Sequence, residues 1–288
     1  MGDNRPVPAQ SSGTHATLAA GGAPQRWRPT GFVRASAAVH AAAAAGAALA
    51  PALWPWALGA IVANQAAICA GVLLPRSRLL GSNWTRLPAS AAARRAIAIT
   101  LDDGPDPEVT PRVLELLARH GAQASFFLIG ERAARHPQLV RDIVAAGHRV
   151  ENHTQRHRHD FALLGPGRYA REIGAAQAVL GELAGSAPRF FRAPAGFRNP
   201  FLDPALARLG LQLASWTRRG YDTRSRDAVA VSARLTRGLA AGDILLLHDG
   251  NAARTSNGVP VVLEALPRLL EAARAAGLRP VTLRAALD

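Results

Sequence analysis

Cysteine is almost absent from this chain of 288 residues. The one cysteine, Cys69, excludes an intramolecular disulfide framework and a zinc module built from cysteine ligands. Any bound metal must therefore use histidine and carboxylate ligands. Charged residues are also few, at 19% against 49% hydrophobic residues, which excludes a disordered chain and leaves ample material for a buried core.

Lysine is missing altogether, so all 34 basic residues are arginine and the formal net charge is +14. A charge of this size can indicate nucleic-acid binding, but that function also needs a basic surface interleaved with aromatic side chains. Aromatic residues make up only 5% of the chain, and residues 96–288 hold 25 arginines against 19 acids. We therefore expect no nucleic-acid partner, and we attribute the arginine bias to overall composition.

Residues 35–75 contain no charged side chain. About forty uncharged residues are too many for one membrane crossing and suit two crossings of roughly 20 residues each. Pro51 and Pro55 supply a turn between the two halves, and Trp54 and Trp56 lie where interfacial aromatic residues anchor a span. The sequence therefore predicts a transmembrane hairpin of two helices.

The charges that flank this apolar segment predict its orientation. The tail, residues 1–34, is polar and expected to be flexible, with four arginines and one acid, and the linker, residues 76–94, is basic. Because arginine-rich flanks stay in the cytoplasm, a hairpin places both flanks and the following domain on the cytoplasmic side of a bacterial-type inner membrane. The alternatives are a single span at 57–74, a signal peptide cut after Ala50, and two helices buried against the domain.

From Ala96 onward, short β-rich runs alternate with helical segments. Seven strands separated by helices predict an α/β fold with a parallel sheet, open or closed into a barrel. In either arrangement, ligands bind at the carboxyl ends of the strands. The seven predicted strands are Ala96–Leu101, Ala124–Ile129, His148–Asn152, Arg189–Arg192, Leu211–Trp216, Ile244–Leu247 and Pro280–Leu283.

Candidate chemical residues follow the first and third predicted strands. Asp102 and Asp103 are adjacent carboxylates that project differently, so one could bind a metal while the other serves as a base. His153 and His157 have the i, i+4 spacing that brings two imidazoles to one side of a helical turn, as a tetrahedral ion requires. We interpret His159, close by, as a solvated neighbour.

Two further strand ends complete the set. Arg192 ends the fourth predicted strand, and His248 with Asp249 follows the sixth, where His248 is a candidate general acid. Together these residues supply the groups that metal-assisted hydrolysis of an amide requires. A carboxylate takes a proton from water, cationic and backbone donors hold the oxyanion, and a histidine protonates the departing amine.

In order and content, the four segments resemble the polysaccharide deacetylase family, also called NodB-homology or carbohydrate esterase family 4 enzymes. The resemblance covers residues 95–288 and implies a distorted (β/α) barrel of about seven strands. It implies that Asp102 is the base and that one divalent ion, commonly zinc with cobalt, nickel or manganese as alternatives, is bound. The implied ligands are Asp103, His153 and His157.

The resemblance also implies roles for residues around these ligands. Arg192 matches the family arginine that orients the base carboxylate, His248 matches the catalytic acid, and Leu246 is expected to line the pocket for the acyl methyl group. The family often has tyrosine at the position of Ala195 and uses that residue's backbone N–H for the oxyanion. The donor is therefore expected to survive, while a side-chain contact to substrate is lost.

One family segment, Asp-x-x-Asp-Trp, is absent from this chain. The segment from Trp216 to Asp222 stands in its place. We expect Asp222 to tune His248, and Trp216 to form a wall of the site.

The sequence thus predicts a membrane-anchored, metal-dependent hydrolase that removes an acyl group, chiefly acetyl, from the amide nitrogen of an amino sugar. A cytoplasmic domain would meet a lipid-linked sugar at the inner leaflet, whereas an exported one would meet peptidoglycan or another N-acetylated glycan. Two alternatives share the fold. One is a deformylase or O-acetyl esterase with the same water chemistry, and the other is a catalytically silent carbohydrate-binding module.

Overall fold

The computed structural model describes residues 26–287. Most of the polar tail predicted for residues 1–34 therefore lies outside the described residues. Helix α1 (Gly31–Leu49) already begins inside that predicted tail. It begins there because the side-chain oxygen of Thr30 accepts a hydrogen bond from the backbone N–H of Val33, which caps the first turn.

The uncharged segment forms a helical hairpin of α1 and α2 (Trp54–Leu73), joined by a short turn at Pro51–Leu53. The Asn64 amide donates to the Ser36 hydroxyl across the two helices, at 2.9 Å. The Thr30 hydroxyl donates to the carbonyl oxygen of Leu79 at 2.6 Å, so the start of α1 and the chain just after α2 lie on the same side.

By length and composition, each arm of this hairpin could cross a membrane. Only one residue in each helix is buried, Ala43 in α1 and Gly71 in α2. Trp54 and Trp56 are among the exposed large side chains, as are several leucines. The helices therefore do not form a pair buried against the following domain, which was one of the alternatives.

The rest of the described chain is an α/β domain. Its helices are α3 (Ala89–Ala93), α4 (Thr110–Arg119), α5 (Gly130–Arg135), α6 (Pro137–Ala145), α7 (Pro166–Ala184), α8 (Leu202–Arg208), α9 (Ala228–Thr236) and α10 (Val261–Ala275). Its strands are β1 (Ala96–Asp102), β2 (Ala124–Leu128), β3 (Arg149–Asn152), β4 (Phe190–Phe191), β5 (Gln212–Leu213), β6 (Arg218–Arg219), β7 (Ile244–His248) and β8 (Arg279–Val281).

All pairings between these strands are parallel, in the order β5-β4-β3-β2-β1-β7-β6, with β8 paired to the start of β1. The sheet curls into a half-barrel, which confirms the predicted α/β barrel-like fold. Residues 214–217 join its two ends, because Ala214 N–H donates to the carbonyl of Phe191 in β4 and Thr217 N–H donates to that of Ile244 in β7.

The predicted strand Leu211–Trp216 is wrong in extent, since only Gln212–Leu213 forms a strand, and Arg218–Arg219 was not predicted. Both differences have one cause. The chain leaves one end of the curled sheet and joins the other within a few residues, so neither piece runs long enough to show a strand period.

Alternation along β1 determines which of its side chains reach the site. Ile97, Ile99 and Leu101 are fully buried in the core between the sheet and helices such as α4, α7 and α10. Because successive side chains point to opposite faces of a strand, Thr100 and Asp102 face the other side, the concave interior of the half-barrel. The carboxyl end of β1 thus delivers Asp102 to the interior and leaves Asp103 at the rim.

Candidate active site

The predicted site residues converge at the carboxyl edge of the sheet, around a cavity of about 330 Å³. Arg192 and Asp222 lie just behind its wall, and the other eight line it. His159, interpreted above as a solvated neighbour, is exposed but also lines this cavity. The remaining lining residues are Ala193, Gly196, Arg219, Thr223, Arg224 and Asn251.

Asp103, His153 and His157 form a cluster that could hold a metal ion. One ligand atom from each residue lies within 4.8 Å of the others. The Nε2 atoms of both histidines are 3.2 Å from Oδ1 of Asp103. That oxygen is buried and has no hydrogen-bond partner among the described residues, as expected of an atom whose partner is an ion.

The two imidazoles converge by a different route from the one predicted. Residues 153–157 form a loop after β3, not a helical turn, and Thr154 and His157 have left-handed φ angles of 68° and 51°. Asn152 Oδ1 accepts from Thr154 N–H, and Thr154 Oγ1 accepts from His157 N–H, both at 2.9 Å. These side-chain bonds hold the strained loop, so the i, i+4 spacing works here without a helix.

The protonation of the two histidines fits metal binding. Nδ1 of His153 is 2.8 Å from the carbonyl oxygen of Arg192 and donates its hydrogen there, so Nε2 is the nitrogen that faces Asp103. Burial lowers the pKa of His157 to about 4, which keeps that imidazole neutral. Burial also acts to lower the pKa of His153, but the Asp102 and Asp103 carboxylates raise it, so a bound cation would displace a proton there.

Asp102 is held by the buried guanidinium of Arg192, which is 1% exposed. Nη1 of Arg192 donates to Asp102 Oδ1 at 2.6 Å and to the Thr100 hydroxyl at 2.8 Å. Its other two nitrogens donate to the carbonyls of Ala214 and Ser215. Because every nitrogen of this arginine is used, the carboxylate is fixed and its second oxygen, Oδ2, stays available to the cavity.

His248 is held by two contacts with the Asp222 carboxylate. Asp222 Oδ1 is 2.8 Å from Nδ1 of His248, and Oδ2 accepts the backbone N–H of the same residue at 2.7 Å. Burial alone would lower the pKa of His248, but the charge and hydrogen bond of Asp222, with the charges of Asp102 and Asp103, raise it to about 9. The imidazole is thus protonated at neutral pH, with Nε2 the nitrogen left to donate that proton.

Three more predicted residues shape the cavity wall. Ala195 stands in a left-handed conformation (φ 54°) in the loop after β4, and Leu246 is buried on β7. Trp216 follows β5 and is 7% exposed. Asp249, the other residue at the tip of β7, does not line the cavity, and its carboxylate accepts a hydrogen bond from the Thr110 hydroxyl at 2.6 Å.

Sequence reasoning missed a pair of residues that support Asp103. The Asn251 amide donates to Asp103 Oδ2 at 3.0 Å, and Arg132 donates both to the backbone carbonyl of Asp103 and to Asn251 Oδ1, each at 2.8 Å. These contacts leave Oδ1 as the carboxylate oxygen that could bind an ion. Asn251 directly follows the His248-Asp249-Gly250 run, and this position could have indicated a role in the site. No pattern in the sequence around Arg132 indicates such a role.

Comparison with protein families and curated proteins gives a consistent set of relatives. The family model described as polysaccharide deacetylase matches residues 89–214. A peptidoglycan-N-acetylglucosamine deacetylase of Bacillus cereus is 34% identical over 185 residues, which cover 61% of this chain and 82% of the relative. A chitooligosaccharide deacetylase of Bradyrhizobium is 34% identical over 157 residues, or 54% of this chain and 71% of the relative.

Solved structures agree. A peptidoglycan N-acetylglucosamine deacetylase in complex with a naphthalenyl N-oxidanyl-benzamide gives a TM-score of 0.64 at 27% identity, over 71% of this chain and 92% of that one. A family 4 carbohydrate esterase from Streptomyces lividans in complex with acetate gives a TM-score of 0.58 at 31% identity. The match covers 64% of this chain and 91% of the esterase. Fold and relatives together define a hydrolase acting on carbon–nitrogen bonds other than peptide bonds. The chain belongs to the polysaccharide deacetylase family, which confirms the resemblance.

The support of Asp103 by Asn251 can be tested through metal affinity. Asn251→Ala removes the bond that fixes Oδ2, so we expect zinc affinity, measured by competition with a chromogenic chelator, to fall about 10- to 100-fold. Asn257→Ala, in the same loop, is the matched control and should leave the affinity unchanged. An unchanged affinity in Asn251→Ala would show that Asp103 needs no such support.

The His248–Asp222 pair predicts a change in pH dependence. If His248 acts as an acid, activity is lost as pH rises through its pKa. Asp222→Asn removes the charge that raises this pKa, so the alkaline limb of kcat/KM should move to lower pH by about one to two units. Asp227→Asn, at the exposed cap of α9, serves as control, and an unmoved limb in Asp222→Asn would exclude His248 as the titrating group.

Proposed function

We propose that this chain is a metal-dependent N-deacetylase that hydrolyses the amide of an N-acylated, chiefly N-acetylated, amino sugar. One observation carries the proposal. A single cavity joins a three-residue ligand cluster to two separately held acid–base groups, Asp102 on Arg192 and His248 on Asp222. Intact sets of this kind support catalysis rather than a silent carbohydrate-binding module.

The ligand cluster suits a divalent ion such as zinc, with cobalt, nickel or manganese as alternatives. Asp103 Oδ1 and the Nε2 atoms of His153 and His157 would hold it, leaving a position open for exchangeable ligands. When bound, the ion supplies Lewis acidity, which polarises the amide carbonyl and makes water easier to deprotonate.

The chain's own residues carry the proton transfers. Asp102 accepts the proton of the attacking water at Oδ2, because Oδ1 is engaged by Arg192. The backbone N–H of Ala195 donates to the oxygen that becomes negative as the amide is attacked. His248 then gives the proton on Nε2 to the departing amine, and Asp222 holds the imidazole in that orientation.

The cavity walls support an acyl amino sugar as the proposed substrate. Leu246 presents a buried apolar surface that fits an acyl methyl group, and Trp216 offers an aromatic wall for a sugar ring. The relatives named above act, by their names, on N-acetylglucosamine of peptidoglycan and on chitooligosaccharides. We extend the substrate to a lipid-linked amino sugar because a short linker joins the domain to an apolar hairpin.

The hairpin would anchor the domain in a bacterial-type inner membrane. Both helices are long and apolar enough to span it, and the contact between Thr30 and Leu79 brings their outer ends together. Arginine is enriched at both flanks, which favours the cytoplasmic side for those ends and for the domain. A signal peptide or a single span fits this closed hairpin less well.

Catalysis is tested by acetate release from N-acetylglucosamine oligomers. Chelation should abolish it and zinc should restore it, while Asp102→Asn and His248→Ala should each lower kcat about 10²- to 10⁴-fold. Asp106→Asn, in the same loop as Asp102, is the control. Formate release or hydrolysis of esters alone would indicate the deformylase or esterase alternative, and saccharide binding without turnover would indicate a silent module.

The topology is tested by fusing reporters that are active on only one side of the membrane. A fluorescent protein after Asp288 should be bright, and an alkaline phosphatase there should be inactive. A phosphatase inserted at Ala50, between the two helices, should be active and serves as the internal control. Active phosphatase after Asp288 would contradict the hairpin orientation and would make an extracytoplasmic glycan the substrate.

A further inference from the structure

A second cavity, of about 570 Å³, adjoins the proposed active site. One side of it is formed by Leu74–Ser77, the residues that directly follow helix α2. The opposite side includes Trp216, Arg219 and Tyr221. Because Trp216 and Arg219 also line the active-site cavity, the second cavity lies between the end of the apolar hairpin and the reacting groups. We call it the juxtamembrane cavity.

The wall formed by Leu74–Ser77 is fixed to the domain. The Ser215 hydroxyl donates to the Pro75 carbonyl at 2.6 Å, and the Asn83 amide donates to the same oxygen at 2.9 Å. Gly196 has φ 79°, and a Cβ built on it would lie 2.5 Å from Cβ of Pro75 and 2.7 Å from the Trp216 ring. The chain leaving the hairpin is therefore packed directly against the active-site loop.

Two arginines in this cavity have N–H groups that make no hydrogen bond with the described residues. Among the described residues, Arg219 has no carboxylate partner, and its Nε is buried without a hydrogen bond. Its Cζ stands 5.2 Å from the ring centroids of both Trp216 and Tyr221, which hold the guanidinium in place. Arg76, exposed across the cavity, donates one hydrogen bond, to the Thr217 carbonyl at 3.2 Å.

The nearby acids do not neutralise these arginines. Asp102 is engaged by Arg192, Asp222 is engaged by His248, and Asp103 belongs to the ligand cluster. A buried donor without a partner is costly, so an anionic ligand that accepts from the Arg219 guanidinium would offset that cost. A guanidinium matches the oxygens of a phosphate in paired hydrogen bonds.

We propose that the juxtamembrane cavity binds the phosphate of a phosphate-linked amino sugar, with Arg219 and Arg76 as its donors. This rests on the proposed function, because the sugar's N-acyl group must then reach the active-site cavity past Trp216. The phosphate comes either from a lipid-linked sugar, whose chain would leave along Leu74 and the end of α2, or from a soluble sugar phosphate. Their shared chemistry is a phosphate ester one sugar ring away from the amide.

The test compares three substrates on the full chain in detergent micelles: a neutral N-acetyl amino sugar, its 1-phosphate, and the same phosphate bearing a lipid chain. We expect kcat/KM of the wild type to favour the phosphates at least tenfold. Arg219→Gln and Arg76→Gln should each reduce this preference about tenfold. Arg78→Gln, on the same segment but outside the cavity, is the matched control and should not change it.

The three substrates also separate the possible sources of the phosphate. A further gain for the lipid-bearing substrate identifies a membrane substrate, and equal rates for both phosphates identify a soluble one. No preference for phosphate in the wild type, or an equal loss in Arg78→Gln, would overturn the proposal. The second outcome would mean that the juxtamembrane arginines act as general surface charge.

A binding measurement keeps the inference testable apart from turnover. Inorganic phosphate titrated into the Asp102→Asn chain should bind more weakly after Arg219→Gln, and should be unaffected by His157→Ala. If phosphate binding were weakened by His157→Ala and unaffected by Arg219→Gln, the anion would bind at the metal cluster. That result would overturn the proposed juxtamembrane site. If no substrate is turned over but phosphate binding still depends on Arg219, the proposed function fails while the anion site stands.

Discussion

The site depends on one buried ion pair, that between Arg192 and Asp102. Removing both charges from water is costly, and the structure offsets this cost by giving every nitrogen of the guanidinium an acceptor. The acceptors come from β1 and from residues 214–215, so the pair ties together the two parts of the half-barrel that flank the cavity. The backbone carbonyl of Arg192 also orients His153, so the proposed base and a proposed metal ligand are set by the same residue.

A second constraint is the closure of the sheet by residues 214–217. This short connection places Trp216 at the cavity wall and Arg219 on the strand beside Leu246. It also supplies the hydroxyl of Ser215 that holds Pro75, and through it the chain that leaves the hairpin. The segment that leaves the apolar hairpin is consequently packed against the site, while the two helices themselves stay exposed. The proposal of a lipid-linked substrate depends more on this connection than on the arginines that flank the hairpin.

Three features show where sequence reasoning succeeded and where it did not. The carboxyl ends of β1 and β7 are predicted to within one residue, because these long buried runs have a clear apolar pattern. The spacing of His153 and His157 predicts that their imidazoles converge, as they do, but the helical turn expected there is wrong. Side-chain bonds from Asn152 and Thr154 shape a loop instead. Strand β6 could not be predicted, because two consecutive arginines carry no strand pattern. Only their pairing with β7 defines them as a strand.

The amino-acid sequence is enough to predict the family, the α/β class, the apolar hairpin and the residues at the strand ends. These are properties of local pattern, because hydrophobic period and motif order survive without knowledge of any contact. Two features arise only from contacts in the folded chain: the support of Asp103 by Arg132 and Asn251, and the cavity between residues 74–77 and 216–221. Those features join segments far apart in the chain, and their energy comes from burial and paired donors that exist only once the sheet has curled.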